Sequence, residues 1–171
     1  IGADYAANAN INSMVEAGDS IFATTGAGTV LQVPVAASPV CALGTWCTKT
    51  DPDAASTAAI EAITKVNLGG TDYLYLGTRD GNVYRATVAS CTTSTCTWTK
   101  MTTTPIQLTI TGGSDALWID DIAEVSGTMY LLGSTRNSVF TPNYRRIHLY
   151  QNTNPGTAGP GSNWILRNPL P

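Results

Sequence analysis

Three times along the 171 residues a paired-strand pattern recurs and closes on a tryptophan. No other feature of the chain narrows its fold so far. The copies read INSMVEAGDSIFATTGAGTVLQV with ALGTW, ITKVNLGGTDYLYLGTRDGNVYRA with STCTW, and IDDIAEVSGTMYLLGST with RRIHLY and GPGSNW. Phe22, Tyr75 and Tyr130 hold one place in the three copies, 53 and 55 residues apart, and Trp46, Trp98 and Trp164 close them. A period near ~50 residues built of short strands belongs to sheets arranged as blades, not to a helical solenoid. The predicted fold class is therefore all-β and β-propeller-like, with three four-stranded antiparallel blades in one domain over 1–171. The blades are placed at about 11–50, 60–101 and 117–168.

Composition agrees. Charged residues make up only 12% of the chain, and 26 threonines take their place, a β-branched excess that suits pleated strands. The runs Tyr73-Leu74-Tyr75-Leu76 and Met129-Tyr130-Leu131-Leu132 are continuously apolar. A sheet with one wet face would alternate, so both faces of these strands are expected to be covered. Face-to-face blades supply that cover better than a β-sandwich, whose outer faces would alternate. In the first copy the strands are read as Ile11–Ala17, Ser20–Thr25, Thr29–Val33 and a fourth around Trp46. In the second they are Ile63–Leu68, Asp72–Thr78, Asn82–Val88 and Thr97–Met101, with Asp80-Gly81 as a hairpin whose two central residues both want positive φ. In the third, strands start near Trp118, at Thr128, at Arg145 and near Trp164, with an insertion over 135–144. The stretches 51–57 and 102–114 read as linkers.

The run G-x-(I/L)-(F/Y)-x-(G/T)-T-x-x-G-x-V-(L/Y), followed by a turn and Thr-Trp, resembles the blades of sialidase-like, BNR-type β-propellers, whose blades end in an Asp-box. Gly44-Thr45-Trp46 and Thr97-Trp98 match the tail of that box, while its aspartate is missing from both copies. The resemblance covers Ile11 to Trp164 and implies a diverged box in which a cysteine pair stands in for the side-chain turn. The box is structural in that family, so it implies a scaffold and not a chemistry. The family's arginine clamp, Tyr/Glu nucleophile pair and acid aspartate have no counterpart here.

Cysteines come as two local pairs, Cys41/Cys47 and Cys91/Cys96, each between the third strand of a repeat and its closing Trp. The spacings are not those of a zinc site and no histidine lies near. Two disulfides are expected, and with them an oxidising compartment: secreted, periplasmic or cell surface. The net charge of −3 and the absence of any basic cluster beyond Arg145-Arg146 argue against nucleic acid. No apolar run reaches the ~18 residues of a membrane span. The first ten residues lack the pattern of a leader, which suggests a processed chain or part of a longer one.

Candidate chemistry is sparse. His148 lies in the apolar strand Ile147-His148-Leu149-Tyr150 and reads as structural. Asp115, Asp120, Asp121 and Glu124 form the densest acidic group. Asp120 and Asp121 fall on the predicted inner strand of the third blade, where paired carboxylates could serve acid–base chemistry or hold a calcium ion. No other metal and no organic cofactor is indicated, and no catalytic residue is assigned. Trp118 has no equivalent in the other copies, and Tyr144 sits in the insertion. With Asp120 and Asp121 they are the candidate ligand-binding residues, because exposed loops on a rigid scaffold are where binding groups are usually carried.

Three blades do not close a ring, which takes about four to eight. The expected partners are a second copy, in a dimer or higher oligomer, or the remainder of a longer chain, with Phe140, Trp118 and the 102–114 segment as contact candidates. The leading functional expectation is an exported, non-catalytic module that binds an extracellular glycan or surface protein. The alternative is a structural subunit of a multichain surface filament or envelope assembly. A glycosidase completed by another chain comes third.

Overall fold

In a computed structural model the described residues are 10–36, 41–49, 52, 58–92, 94–102, 107–110, 113–136, 145–155 and 164–168. They form three four-stranded antiparallel sheets, each joined in simple sequence order. The first holds β1 (Ile11–Ala17), β2 (Ser20–Thr25), β3 (Val30–Pro34) and β4 (Cys47–Lys49); the second holds β5 (Ile60–Leu68), β6 (Thr71–Thr78), β7 (Val83–Thr87) and β8 (Thr99–Lys100). A small hairpin of β9 (Gln107–Ile110) and β10 (Gly113–Ala116) follows. The third sheet holds β11 (Trp118–Val125), β12 (Thr128–Arg136), β13 (Arg145–Asn152) and β14 (Ile165–Asn168). Much of 102–114, expected to be a linker, is thus a hairpin. Its alternating Gln-Leu-Thr-Ile, followed in the sequence by Gly112-Gly113, carried the ordinary strand signal.

The first strands stand side by side, with β5 between β1 and β11, as inner strands do around a propeller axis. Each is bulged at the same point of the repeat. The ladder slips between Ile11 and Ser13, between Ile60 and Ala62, and between Ile119 and Asp121, leaving Asn12, Glu61 and Asp120 as the extra residues. Two bonds join the first sheets across this seam: Asn12 Nδ2 donates to Ile60 O at 3.0 Å, and Ile63 N–H donates to Ser13 Oγ at 3.4 Å.

Two cores fill the gaps between sheets. Phe22 and Val30 meet Ile63, Leu74 and Leu76 in one; Val66, Tyr75 and Val83 meet Ile119, Ile122, Met129 and Leu131 in the other. Successive side chains of β6 therefore point into different cores, which is why its sequence does not alternate. Phe22 and Tyr75 are fully buried against the sheet that follows, each worth about 1.5–3 kcal/mol of apolar transfer. The close packing of the second and third sheets depends on Gly77, where an added Cβ would lie 2.8 Å from Ile119 Cβ.

The hairpins between second and third strands obey one rule. Thr25 N–H donates to Thr29 O at 3.0 Å and Thr78 N–H to Asn82 O at 3.1 Å, enclosing three-residue loops. The hydroxyl of each leading threonine accepts the returning N–H, from Thr29 and from Asn82, at 3.1 Å. Gly28 and Gly81 take φ of 81° and 80°. Only Gly81 of the Asp80-Gly81 pair is left-handed, so the loop is a type I turn with a glycine bulge and not the expected two-residue turn. This is the physical content of the T-x-x-G spacing.

The closing tryptophans precede the fourth strands and do not lie within them. Trp46, Trp98 and Trp164 stand immediately before β4, β8 and β14, all half-buried. Trp98 packs on the core between the first two sheets, and Trp164 on the core between the last two. Both thus cap the gap to the preceding sheet.

Both disulfides form, Cys41–Cys47 and Cys91–Cys96, with Cα atoms 6.2 and 4.0 Å apart. They lie close together, because buried Lys49 donates from Nζ to Thr92 O at 2.5 Å and sits 3.8 Å from Cys41 Sγ. Burial pulls the Lys49 ammonium below its ordinary pKa.

Candidate functional site

Strands that run in meander order bring the start of each first strand and the second hairpin of each sheet to one end of the molecule. The bulge residues Asn12, Glu61 and Asp120 gather there with the loop 79–81. Arg79 is the pivot. Its Nε forms an ion pair with Glu61, and its guanidinium carbon lies 4.6 Å from the centroid of the Trp118 ring. A carboxylate of the second sheet, a cation on that sheet's hairpin and an indole of the third sheet therefore form one stack across the seam. The Arg79 side chain stays 45% exposed, so the cluster opens to solvent, where such a cation–π contact contributes about 0.5–1 kcal/mol.

Of the residues singled out from sequence, Trp118, Asp120 and Asp121 lie on β11 at this same end. Trp118 is half-buried, with Arg79 on its ring. Asp120 is half-exposed at the bulge. Asp121 is exposed, pairs with Leu132 across the ladder, and accepts a hydrogen bond from Ile122 N–H on its Oδ1 at 2.8 Å. The bulge separates the roles of the two carboxylates: one leaves the ladder and the other is tied to its own backbone. Glu124 closes the Ser126-Gly127 turn by accepting from Gly127 N–H. Among the described residues no group of three or more His, Cys, Asp or Glu side chains could hold a metal ion. Tyr144 and Phe140 lie outside the described residues, as does the side chain of Asp115. His148 is buried within β13, opposite Gly133.

Glu61 and Arg79 were not among the candidate ligand-binding residues. The signal was present, since Glu61 shares its repeat position with Asn12 and Asp120, and Arg79 is the second residue of the T-x-x-G loop. Only the pairing across sheets, which a single sequence does not display, joins them to Trp118.

A second polar group is structural. Buried Arg85 donates from Nη1 to Pro155 O at 3.0 Å and lies 4.7 Å from the Tyr73 ring centroid, while the Tyr75 hydroxyl donates to the same carbonyl at 2.7 Å. These bonds tie the loop after β13 to the face of the second sheet.

No protein-family model matches the chain, and no curated protein matches it. Among solved structures, the computationally designed Ika4 protein is similar in fold, with a TM-score of 0.51 and 8% identity over 98% of this chain and 78% of that one. A bifunctional GH43-CE protein of Bacteroides eggerthii aligns at a TM-score of 0.32 and 12% identity, over 91% of this chain and 27% of that one. At this level of identity the first likeness concerns the fold alone. Two disulfides accord with an oxidising environment, and among the described residues no helix is long and apolar enough to cross a membrane.

Proposed function

We propose that the chain is an exported, non-catalytic propeller-like module that binds an extracellular glycan or surface protein at the end carrying Trp118. The observation that supports this reading is the Glu61–Arg79–Trp118 stack, an open cluster of carboxylate, guanidinium and indole on a rigid three-sheet scaffold. Aromatic faces and fixed polar groups are what such recognition uses. Asp120 stands two residues along β11 from Trp118, at the bulge, and the diverged Asp-box resemblance is in keeping with a scaffold of this kind. Calcium plays no part in the proposal. Screening the purified protein on an array of glycans and against extracts of cell-surface proteins tests the reading. Trp118→Ala and Asp120→Asn should abolish or weaken any binding found while leaving the circular dichroism spectrum intact. Binding that both variants retain in full would overturn the assignment of this end.

A further inference from the structure

Each sheet offers one face to the sheet before it and one to the sheet after. On the following face, Phe22 of the first sheet and Tyr75 of the second are buried, and Tyr130 holds the same position on the third. Ala17 and Val66 are likewise buried there, and the matching Val125 is 59% exposed. On the preceding face, Ile63 and Ile122 are buried at equivalent positions, and the matching Met14 of the first sheet is 62% exposed. Trp98 and Trp164 cap a preceding sheet, while Trp46 belongs to neither core. The second sheet, covered on both sides, carries none of the exposed large apolar side chains.

The third sheet's following face is an apolar surface shared by all its strands. Val125 on β11, Leu132 on β12, Ile147 on β13 and Ile165 on β14 are each at least 38% exposed, with half-buried Tyr130 and Leu149 among them. Their register places Leu132 opposite Leu149, and Gln151 between Tyr130 and Ile165. Isolated apolar residues on a surface need no explanation, but a contiguous set marks an interaction site. What fits such a face is visible twice within the molecule: the preceding face of another sheet of this repeat. The first sheet turns that kind of face outward only in part: Met14 is exposed and Ile21 and Trp46 are half-buried, while Ala23 and Leu31 beside Met14 are already covered within the chain.

We propose that a second copy of this chain stacks head to tail, its first sheet on the third sheet of its partner. The junction continues the packing that already joins the three sheets of one chain. It is heterologous, so it closes into a ring if the rotation per sheet allows, and otherwise extends. Nothing in the junction requires a ligand at the Trp118 end, although exposed Asp121 shares this face opposite Leu132.

Light scattering after size exclusion, over a hundredfold range of concentration, should give a mass of two or more times 17.9 kDa. Met14→Glu and Leu132→Glu, each on an exposed position, should each yield monomer with an unchanged circular dichroism spectrum. Mixing the two variants should restore association, because the pair keeps one intact junction. Val125→Lys repeats the second arm if Leu132→Glu folds poorly. A monomeric wild type at every concentration would overturn the proposal. So would association that Leu132→Glu abolishes and Met14→Glu leaves intact, which would mean third sheets packed on each other.

Discussion

Arg79 lies over the indole of Trp118 while its Nε is held by Glu61, so two sheets meet through one cation. Replacing Arg79 by Ala removes both contacts and leaves the Glu61 carboxylate, only 17% exposed, without its cation. Stability should fall by about 1–3 kcal/mol. The emission of Trp118, isolated by difference against Trp118→Phe, should shift to the red as water reaches its ring. An unshifted spectrum would mean that the stack does not persist in solution.

Gly77 is the tightest point between the second and third sheets. Ala at this position drives a methyl group into Ile119, whose Cβ is fixed by its own backbone and whose side chain is fully buried. Gly77→Ala should therefore cost about 1–3 kcal/mol, the usual penalty of overpacking. Urea unfolding followed by circular dichroism measures it.

Thr78 serves its hairpin from a buried position, accepting the N–H of Asn82 at 3.1 Å. Thr78→Val preserves shape and removes the acceptor. A loss of about 1–2 kcal/mol is expected for the orphaned donor, read as a lower urea midpoint with an unchanged slope.

The two disulfides close short loops, with sequence separations of 6 and 5, and each should contribute about 2 kcal/mol. Cys91 and Cys96 also belong to the core between the first two sheets, whereas Cys47 is only half-buried. The double Ser variant at 91 and 96 should thus be the more damaging. Denaturation of both double variants beside the wild type would reveal the order.

Burial pushes the Tyr75 phenol above its ordinary 10.0, against the opposing hydrogen bond and charge of Arg85, and burial alone raises Tyr150. Both phenols stay protonated in the fold at pH values where the unfolded chain has already lost these protons. Their contribution is complete below about pH 10 and is lost as pH rises through the raised folded values. Near-ultraviolet absorbance should show Tyr75 and Tyr150 ionising late, and together with unfolding. Tyr75→Phe should remove one of them.

Much of this architecture could be read from the chain because it is local. Strand length, the turns at Gly18, Gly69 and Gly81 and the cysteine pairs all depend on residues within about ten positions of one another, and the threefold recurrence repeats those local patterns. The continuous apolar run of β6 even announced that its sheet is covered on both sides. The hairpin at 107–116 was legible too, in its alternation, but its Thr-rich flanks resembled a linker.

The sequence by itself determined three antiparallel sheets and their staples, because hydrogen-bond ladders and short disulfide loops are settled by neighbours along the chain. Only the tertiary structure decided that Asn12, Glu61 and Asp120 bulge at one end, that Arg79 spans from Glu61 to Trp118, and that Met14 and Val125 stand uncovered where their counterparts are buried. Those relationships join residues some 18 to 60 positions apart. Such contacts depend on how one sheet rotates against the next, which side-chain volumes at the seam set and no single repeat encodes.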